Sequence, residues 1–563
     1  MPPQFARHPL SKQLAKVFPS LKKPRIEVVS PRLCDDAIQR LAPSLAQYVG
    51  CTIVDMNPGA GLWSSKLHDF LKPRRHVLVE PNQDYLPFLQ PLLDAPGSRY
   101  KYKNWDGEKV RHPDAYVEEG LIPDVDEARK EGSLVLMVAN FAGQKARRMD
   151  TDVGSKAHIR AIDFTHSARH NRGFHAYGPT RLLMWMTDEE KRPLLPRTVG
   201  YRHKLAAYLE ASFHVEEILG EAAKDTKVNR EDTLEIESRR RVAERMAKEG
   251  IVLPPDRQLD LKAVMYNLSQ TSRNWHREFE ELDEGLKSQR ISQFMGQPPG
   301  PLVAVGRSGV KKKGTPSLTP EYNRWRLLRN VLMGENKQID KANQYLRKQE
   351  EIDKLDLEAH RNGIDPKTQE ELLVTLDAKV REYKDALSSL SQKDRYRLMF
   401  MDDDRRAFAM DPPLLMWDQR KAEPLIAQSD EFWPSKEGLS LLDFQPKIPQ
   451  PFPTNSEQST YFNMLATELM GVKGPNNIKL LNKIAPGAFE ALVPKVSAFT
   501  DPRRGGRRDV ESIRNRVLTP EQLYGLAMAW DKWLFKPQYL SDSMPQSNAQ
   551  VIKIRRGVRL KVE

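Results

Sequence analysis

The feature that most constrains this chain is the stretch Gly50–Leu62, read GCTIVDMNPGAGL. A β-branched apolar run ends in Asp55, and Pro58, Gly59 and Gly61 then turn the chain into a helix-patterned segment, Trp63 to Leu71. A buried parallel strand leading into a nucleotide-cradling turn has this order, because glycine lets backbone approach a ligand where a Cβ would collide. A tight strand-to-helix turn without a ligand has the same order. The segments that follow favour the first. His76-Val77-Leu78-Val79-Glu80 is a second apolar run ending in an acid, about 20 residues after the glycine turn, where an acid meets ribose hydroxyls in dinucleotide folds. Tyr100–Asp106 is a third strand-like segment, and Ser133–Phe141 a fourth that ends in Asn140-Phe141. Strands whose carboxyl ends carry polar groups predict an α/β sheet with a ligand crevice at its switch point.

On these residues the chain resembles the rRNA adenine N6-dimethyltransferase family, and within it the fungal mitochondrial transcription factor B branch. The resemblance implies a class I S-adenosylmethionine methyltransferase-like, Rossmann-like sheet of seven strands. It implies S-adenosylmethionine as the cofactor, bound by Asp55, Asn57, Gly59, Gly61, Glu80, Asp106 and Asn140, with Asn140 and Phe141 in the catalytic position. Asn57 stands where the family has its first loop glycine. The family's Asn-Leu-Pro-aromatic motif reads Asn140-Phe141-Ala142-Gly143 here, keeping the Asn and losing the Pro-aromatic end. The branch implies a mitochondrial matrix protein that binds promoter DNA and assists the mitochondrial RNA polymerase without catalysis. Two alternatives stand beside it: an active mitochondrial rRNA adenine dimethyltransferase, and a structural or assembly factor of the mitochondrial ribosome.

With 563 residues the chain exceeds a single core, so several domains are expected. Lys and Arg total 89 against 76 acids, a net charge of +13, which points to an anionic partner, nucleic acid before membrane surface. No apolar run reaches the roughly 18 residues that a membrane helix needs. Cys34 and Cys51 are too few and too far apart for a disulfide framework or a zinc ribbon. Residues 1–26 contain no acid and several Lys and Arg, with Phe5, Leu10, Leu14, Val17 and Phe18 on one apolar stripe of a helix, which reads as a mitochondrial targeting segment or as a plain basic tail.

The first part of the methyltransferase-like domain is expected over 27–220, with an acidic surface excursion at Val110–Lys130 and a fifth strand at Arg181–Met186. Residues 144–178 read as a loop rich in Arg, His and aromatics that suits a nucleic-acid backbone, with Arg147, Arg148, Arg169 and Arg172 as contacts. His166 and His170 share metal-pair spacing, but their neighbours are cationic, and no metal site is expected. Tyr201–Phe213 is the helix after the fifth strand, and no further strand is expected until a charged helical insertion, 221–404, has passed. Asp402-Asp403-Asp404 before Arg405-Arg406 reads as a solvated, self-neutralised turn. The last strands are expected within 405–450, at Pro413–Asp418 and Leu439–Phe444. A helical C-terminal domain, 451–537, carries a flexible Arg-Gly stretch, in which Arg503, Arg504, Arg507 and Arg508 form a candidate phosphate grip. Residues 538–563 are a basic tail.

Overall fold

The computed structural model describes residues 8–19, 25–106, 112–150, 153–221, 230–258, 304–305, 311–312, 342–434, 438–448, 456–471 and 476–537. Its centre is one sheet of eight strands: β1 Thr52–Met56, β2 Arg75–Val79, β3 Tyr100–Lys103, β4 Val135–Asn140, β5 Arg181–Thr187, β6 Phe213–Glu221, β7 Leu425–Ala427 and β8 Leu439–Pro446. The spatial order is β7-β6-β8-β5-β4-β1-β2-β3. β8 runs antiparallel to both β5 and β6, and every other pairing is parallel. From β1 the chain steps outward through β2 and β3, then returns to β1's other side for β4 and β5. The switch point therefore lies between β1 and β4, and a crevice opens there at the strand ends.

β1, β4 and β5 are buried along their whole length, as near-continuous apolar strands in the middle of a parallel sheet must be. Their side chains alternate between two cores. Val54, Met56, Met137 and Ala139 pack with Trp105, Tyr116 and Phe164 on one face. Ile53, Leu136, Val138 and Trp185 pack on the other with Leu33 and Leu41 of the helix Pro31–Leu45 and Trp63 and Leu67 of the helix Leu62–Leu71. Ser30 caps the first of these helices, its hydroxyl accepting from Leu33 N at 3.1 Å, with Pro31 in the first turn.

Several expectations need correction. The sheet has eight strands, not seven. β6 follows the helix Lys204–Ser212 directly, so a strand comes before the charged region. Pro413–Asp418 is no strand: Met416–Gln419 is a single helical turn, and the strands are β7 and β8. The excursion after β3 contains two short helices, Pro113–Glu118 and Val125–Glu131. Residues 144–178 are not a loop. They form a hairpin, Lys145–Asp150 with Val153–Ser155, then the helix Lys156–Arg169 and a 3-10 segment Gly173–Tyr177. Asp402, Asp403 and Asp404 lie in the helix Gln392–Ala409, and Asp403 and Asp404 are buried rather than solvated. Their counter-charges come from far along the chain: Arg507 pairs with Asp402 at 2.9 Å and Arg514 with Asp403 at 2.5 Å.

The chain forms two compact units. One comprises 1–258, 353–380 and 399–563, and it holds the sheet together with a helical region after it. That region is built on Ser456–Met470 and Pro520–Asp531, the latter opened by Thr519 and Gln522, which cap each other's backbone N–H. It joins the sheet's helices through Arg202, whose guanidinium donates to Glu210 and to the carbonyls of Arg516 and Leu518. The other unit comprises 259–352 and 381–398; among its described residues, Lys348 pairs with Glu382 at 3.0 Å and the Tyr345 and Tyr383 rings meet. No helix among the described residues is long and apolar enough to cross a membrane, and none of their acid, His and Cys groupings forms a metal cluster.

Candidate ligand crevice at the switch point

The crevice is built by the ends of β1, β2 and β4 and by the turn Asn57–Gly61. Asn57 adopts φ 59°, a left-handed conformation that asparagine tolerates better than most residues, so it fills a glycine-like position. Its amide donates to the Asn140 carbonyl at 3.1 Å and ties the turn to β4. Gly59 and Gly61 have φ 60° and 75°. A Cβ on Gly61 would meet Leu89 at 2.8 Å, so this glycine serves helix packing. Asp55 is buried, accepts from Ser64 Oγ at 2.5 Å and lies 3.5 Å from His76 Nε2.

Glu80, fully buried at the end of β2, accepts three hydrogen bonds from the chain. One oxygen accepts from Gly59 N at 3.0 Å and from Arg25 at 2.5 Å; the other accepts from Asn82 N at 3.0 Å. Arg25 also donates to Glu27 at 3.0 Å and lies 4.7 Å from the centre of the Tyr85 ring. Burial opposes its charge, and the two acids outweigh that effect and raise its pKa. Burial pushes the Glu27 carboxyl up to about 7, with Arg25 acting against the rise. The Glu27 carboxylate sits where a side chain on Gly59 would start, in direct collision with a Cβ placed there.

Asn140 spends its amide on the chain as well: Nδ2 donates to the Ile26 carbonyl at 3.0 Å, and Oδ1 accepts from Ala142 N at 3.2 Å. Phe141 belongs to the opposite core, with the Arg160 guanidinium 5.6 Å from its ring centre. The neighbouring residues therefore address different faces of the sheet. Asp106 stands apart from the crevice, exposed, 3.9 Å from Lys156.

The geometry thus brings Asp55, Asn57, Gly59, Glu80 and Asn140 together and leaves Asp106 and Phe141 out. The cavity that remains, lined by Glu27, Asp55, Asn57, Trp63, Asn140 and Trp185 among others, has room for about one water molecule. As they stand, these residues do not fit S-adenosylmethionine. Three hydrogen bonds from the chain, one of them from the Arg25 guanidinium, already occupy the Glu80 carboxylate that would hold a ribose, and the glycine turn faces a carboxylate of its own chain.

The basic residues divide similarly. Arg169 is buried and donates to Ser212 Oγ, the Tyr208 carbonyl and Asn463 Oδ1, with its guanidinium 4.1 Å from the Phe462 ring centre. Arg172 is exposed, and the side chains of Arg147 and Arg148 fall outside the described residues. Arg503 pairs with Asp501, Arg504 with Glu521, Arg508 with Asp377, and Arg507 with both Asp402 and Asp353. The Arg-Gly stretch holds a 3-10 turn, Pro502–Arg504. His166 contacts Asn463 at 3.1 Å, and burial lowers its pKa to about 3.

Arg25 and Glu27 are the site residues that sequence reasoning passes over. The signal for them is slight: the first acid of the chain, two residues after an arginine, where a basic segment gives way to an apolar run. No protein-family model matches the chain, and no curated protein matches it.

Proposed function

We propose that this chain is a nucleic-acid-binding factor on a class I methyltransferase-type scaffold, which acts in mitochondrial transcription initiation with the mitochondrial RNA polymerase and does not transfer methyl groups. One observation carries the non-catalytic part. The Asn140 amide is committed to Ile26 and Ala142 while Phe141 packs in the opposite core, so the pair that would hold and stack a target adenine is divided. The antiparallel β8 inserted between β5 and β6 supports the methyltransferase-type scaffold.

A net charge of +13 supports an anionic partner, and duplex DNA offers the dense phosphate array that such a surface suits. Arg172, with Arg147 and Arg148 on the hairpin before it, is the proposed contact region. Fluorescence anisotropy of the full chain on a promoter-length duplex, read at several salt concentrations, tests this. The expected result is affinity that falls log-linearly with salt, and a slope made shallower by about 2 to 3 in the Arg147→Ala/Arg148→Ala/Arg172→Ala variant. Stimulation of promoter-dependent initiation by the mitochondrial polymerase is expected in the same preparation. Methylation of an rRNA fragment, or co-purification with ribosomes and not with polymerase, would replace this reading with one of its alternatives.

A further inference from the structure

A crevice at the switch point of an α/β sheet is where a ligand is expected, and here the groups that fill it come from the chain. The Arg25 guanidinium bridges two buried acids, Glu80 at 2.5 Å and Glu27 at 3.0 Å. The Glu27 carboxylate occupies the space in front of Gly59, and the Ile26 carbonyl takes the Asn140 amide. Three consecutive residues thus meet the acid, the glycine turn and the asparagine that frame the crevice.

The segment is fastened on its far side. Glu27–Val28 pairs antiparallel with Phe432–Trp433, and Val29 N donates to the Glu431 carbonyl at 2.9 Å. The helix Pro9–Val17 covers it: Leu14 is fully buried among Val29, Tyr85 and Trp433, and the Phe18 ring centre lies 4.9 Å from that of Tyr85, the ring that Arg25 lies against.

We propose that Arg25–Val29 is the resident ligand of this crevice, with the guanidinium on the acid that would face ribose hydroxyls and the Glu27 carboxylate in the glycine turn, so that the folded chain excludes a nucleoside cofactor. The chemistry is self-consistent. A guanidinium between two carboxylates satisfies charges that a dry crevice would otherwise leave unpaired, and an uncompensated buried charge is strongly destabilising. The inference concerns the crevice alone and stands or falls apart from the nucleic-acid reading.

Two measurements on the full chain test it. Calorimetry with S-adenosylhomocysteine is expected to give no binding heat. Thermal unfolding of Arg25→Ala, Glu80→Gln and the double variant is expected to show coupling: Arg25→Ala lowers Tm by about 5 °C or more, and adding Glu80→Gln recovers much of the loss. If Arg25→Ala alone does not fold, recovery of a folded protein in the double variant supports the pairing, and failure to recover counts against it. Micromolar binding of S-adenosylhomocysteine to the unmodified protein would overturn the proposal. So would an Arg25→Ala loss of the same size whether Glu80 is intact or already carries the Glu80→Gln change.

Discussion

Arg503, Arg504, Arg507 and Arg508 lie within six consecutive positions, yet they differ in what surrounds them. Arg507 is buried between Asp402 and Asp353, whereas Arg503 and Arg504 are exposed on single acids. Removing one partner of a buried charged set strands the rest, so Arg507→Ala is expected to cost about 3–5 kcal/mol in urea unfolding. Arg503→Ala is expected to leave the urea midpoint nearly unchanged, because solvent screens an exposed pair. Equal losses at the two positions would contradict this division. Sequence alone could not make it: the carboxylates that claim Arg507 lie about a hundred and more residues earlier, at Asp402 and Asp353, and nothing local marks them as its partners.

Among the elements, legibility follows how strands are buried. β1, β2, β4 and β5 could be read directly, because central parallel strands are apolar on both faces and end in polar residues at the crevice. β6 escaped because His214, Glu216 and Glu217 interrupt its apolar residues and it continues from a helix without a turn signal. The burial of Asp403 and Asp404 inside the helix Gln392–Ala409 escaped because these acids find arginines only in the folded chain. The glycine turn was legible as a turn, but its occupant was not, since that occupant precedes it by some thirty residues and arrives through tertiary packing. The turn itself yields a test. In Gly59→Ala the new Cβ meets the Glu27 carboxylate and keeps a left-handed φ, and a loss of about 2 kcal/mol or more is expected by urea unfolding. In a Glu27→Ala background the collision is gone and only the backbone cost, about 1–2 kcal/mol, should remain. An undiminished loss would place the strain elsewhere.

For the molecule as a whole, buried titratable groups set opposing limbs of the stability profile. Burial lowers His166 and His175 to about 3, so the folded chain keeps them neutral, and their stabilisation, present above the unfolded value near 6.5, is lost as pH falls through the acid range. Burial raises Asp404 and Glu27 to about 7, so the folded chain holds protons that the unfolded chain has released. That contribution is complete below about pH 4 and lost as pH rises through 7. Between about pH 4 and 6.5 the two trends offset each other, so these groups together give a broad plateau there rather than a sharp maximum. Asp404→Asn keeps an acceptor for Val199 N and removes the titration, so its Tm should exceed the parent's at pH 8, by the equivalent of about 2 kcal/mol, with the gap shrinking as pH falls and closed by about pH 4. A constant gap across that range would assign the effect to packing instead of protonation.

The contact between Gly59 and Glu27 also bears on how a glycine signature is interpreted. Any larger residue at 59 is resisted by the Glu27 carboxylate, so the position requires glycine whether or not a nucleotide is bound. Emptying the turn needs only Glu27 to leave, since Arg25 and Glu80 remain a pair, whereas losing Arg25 leaves Glu80 without its counter-charge. A glycine in such a turn is thus held in place by packing within the chain, and its presence in a sequence does not by itself report a bound nucleotide.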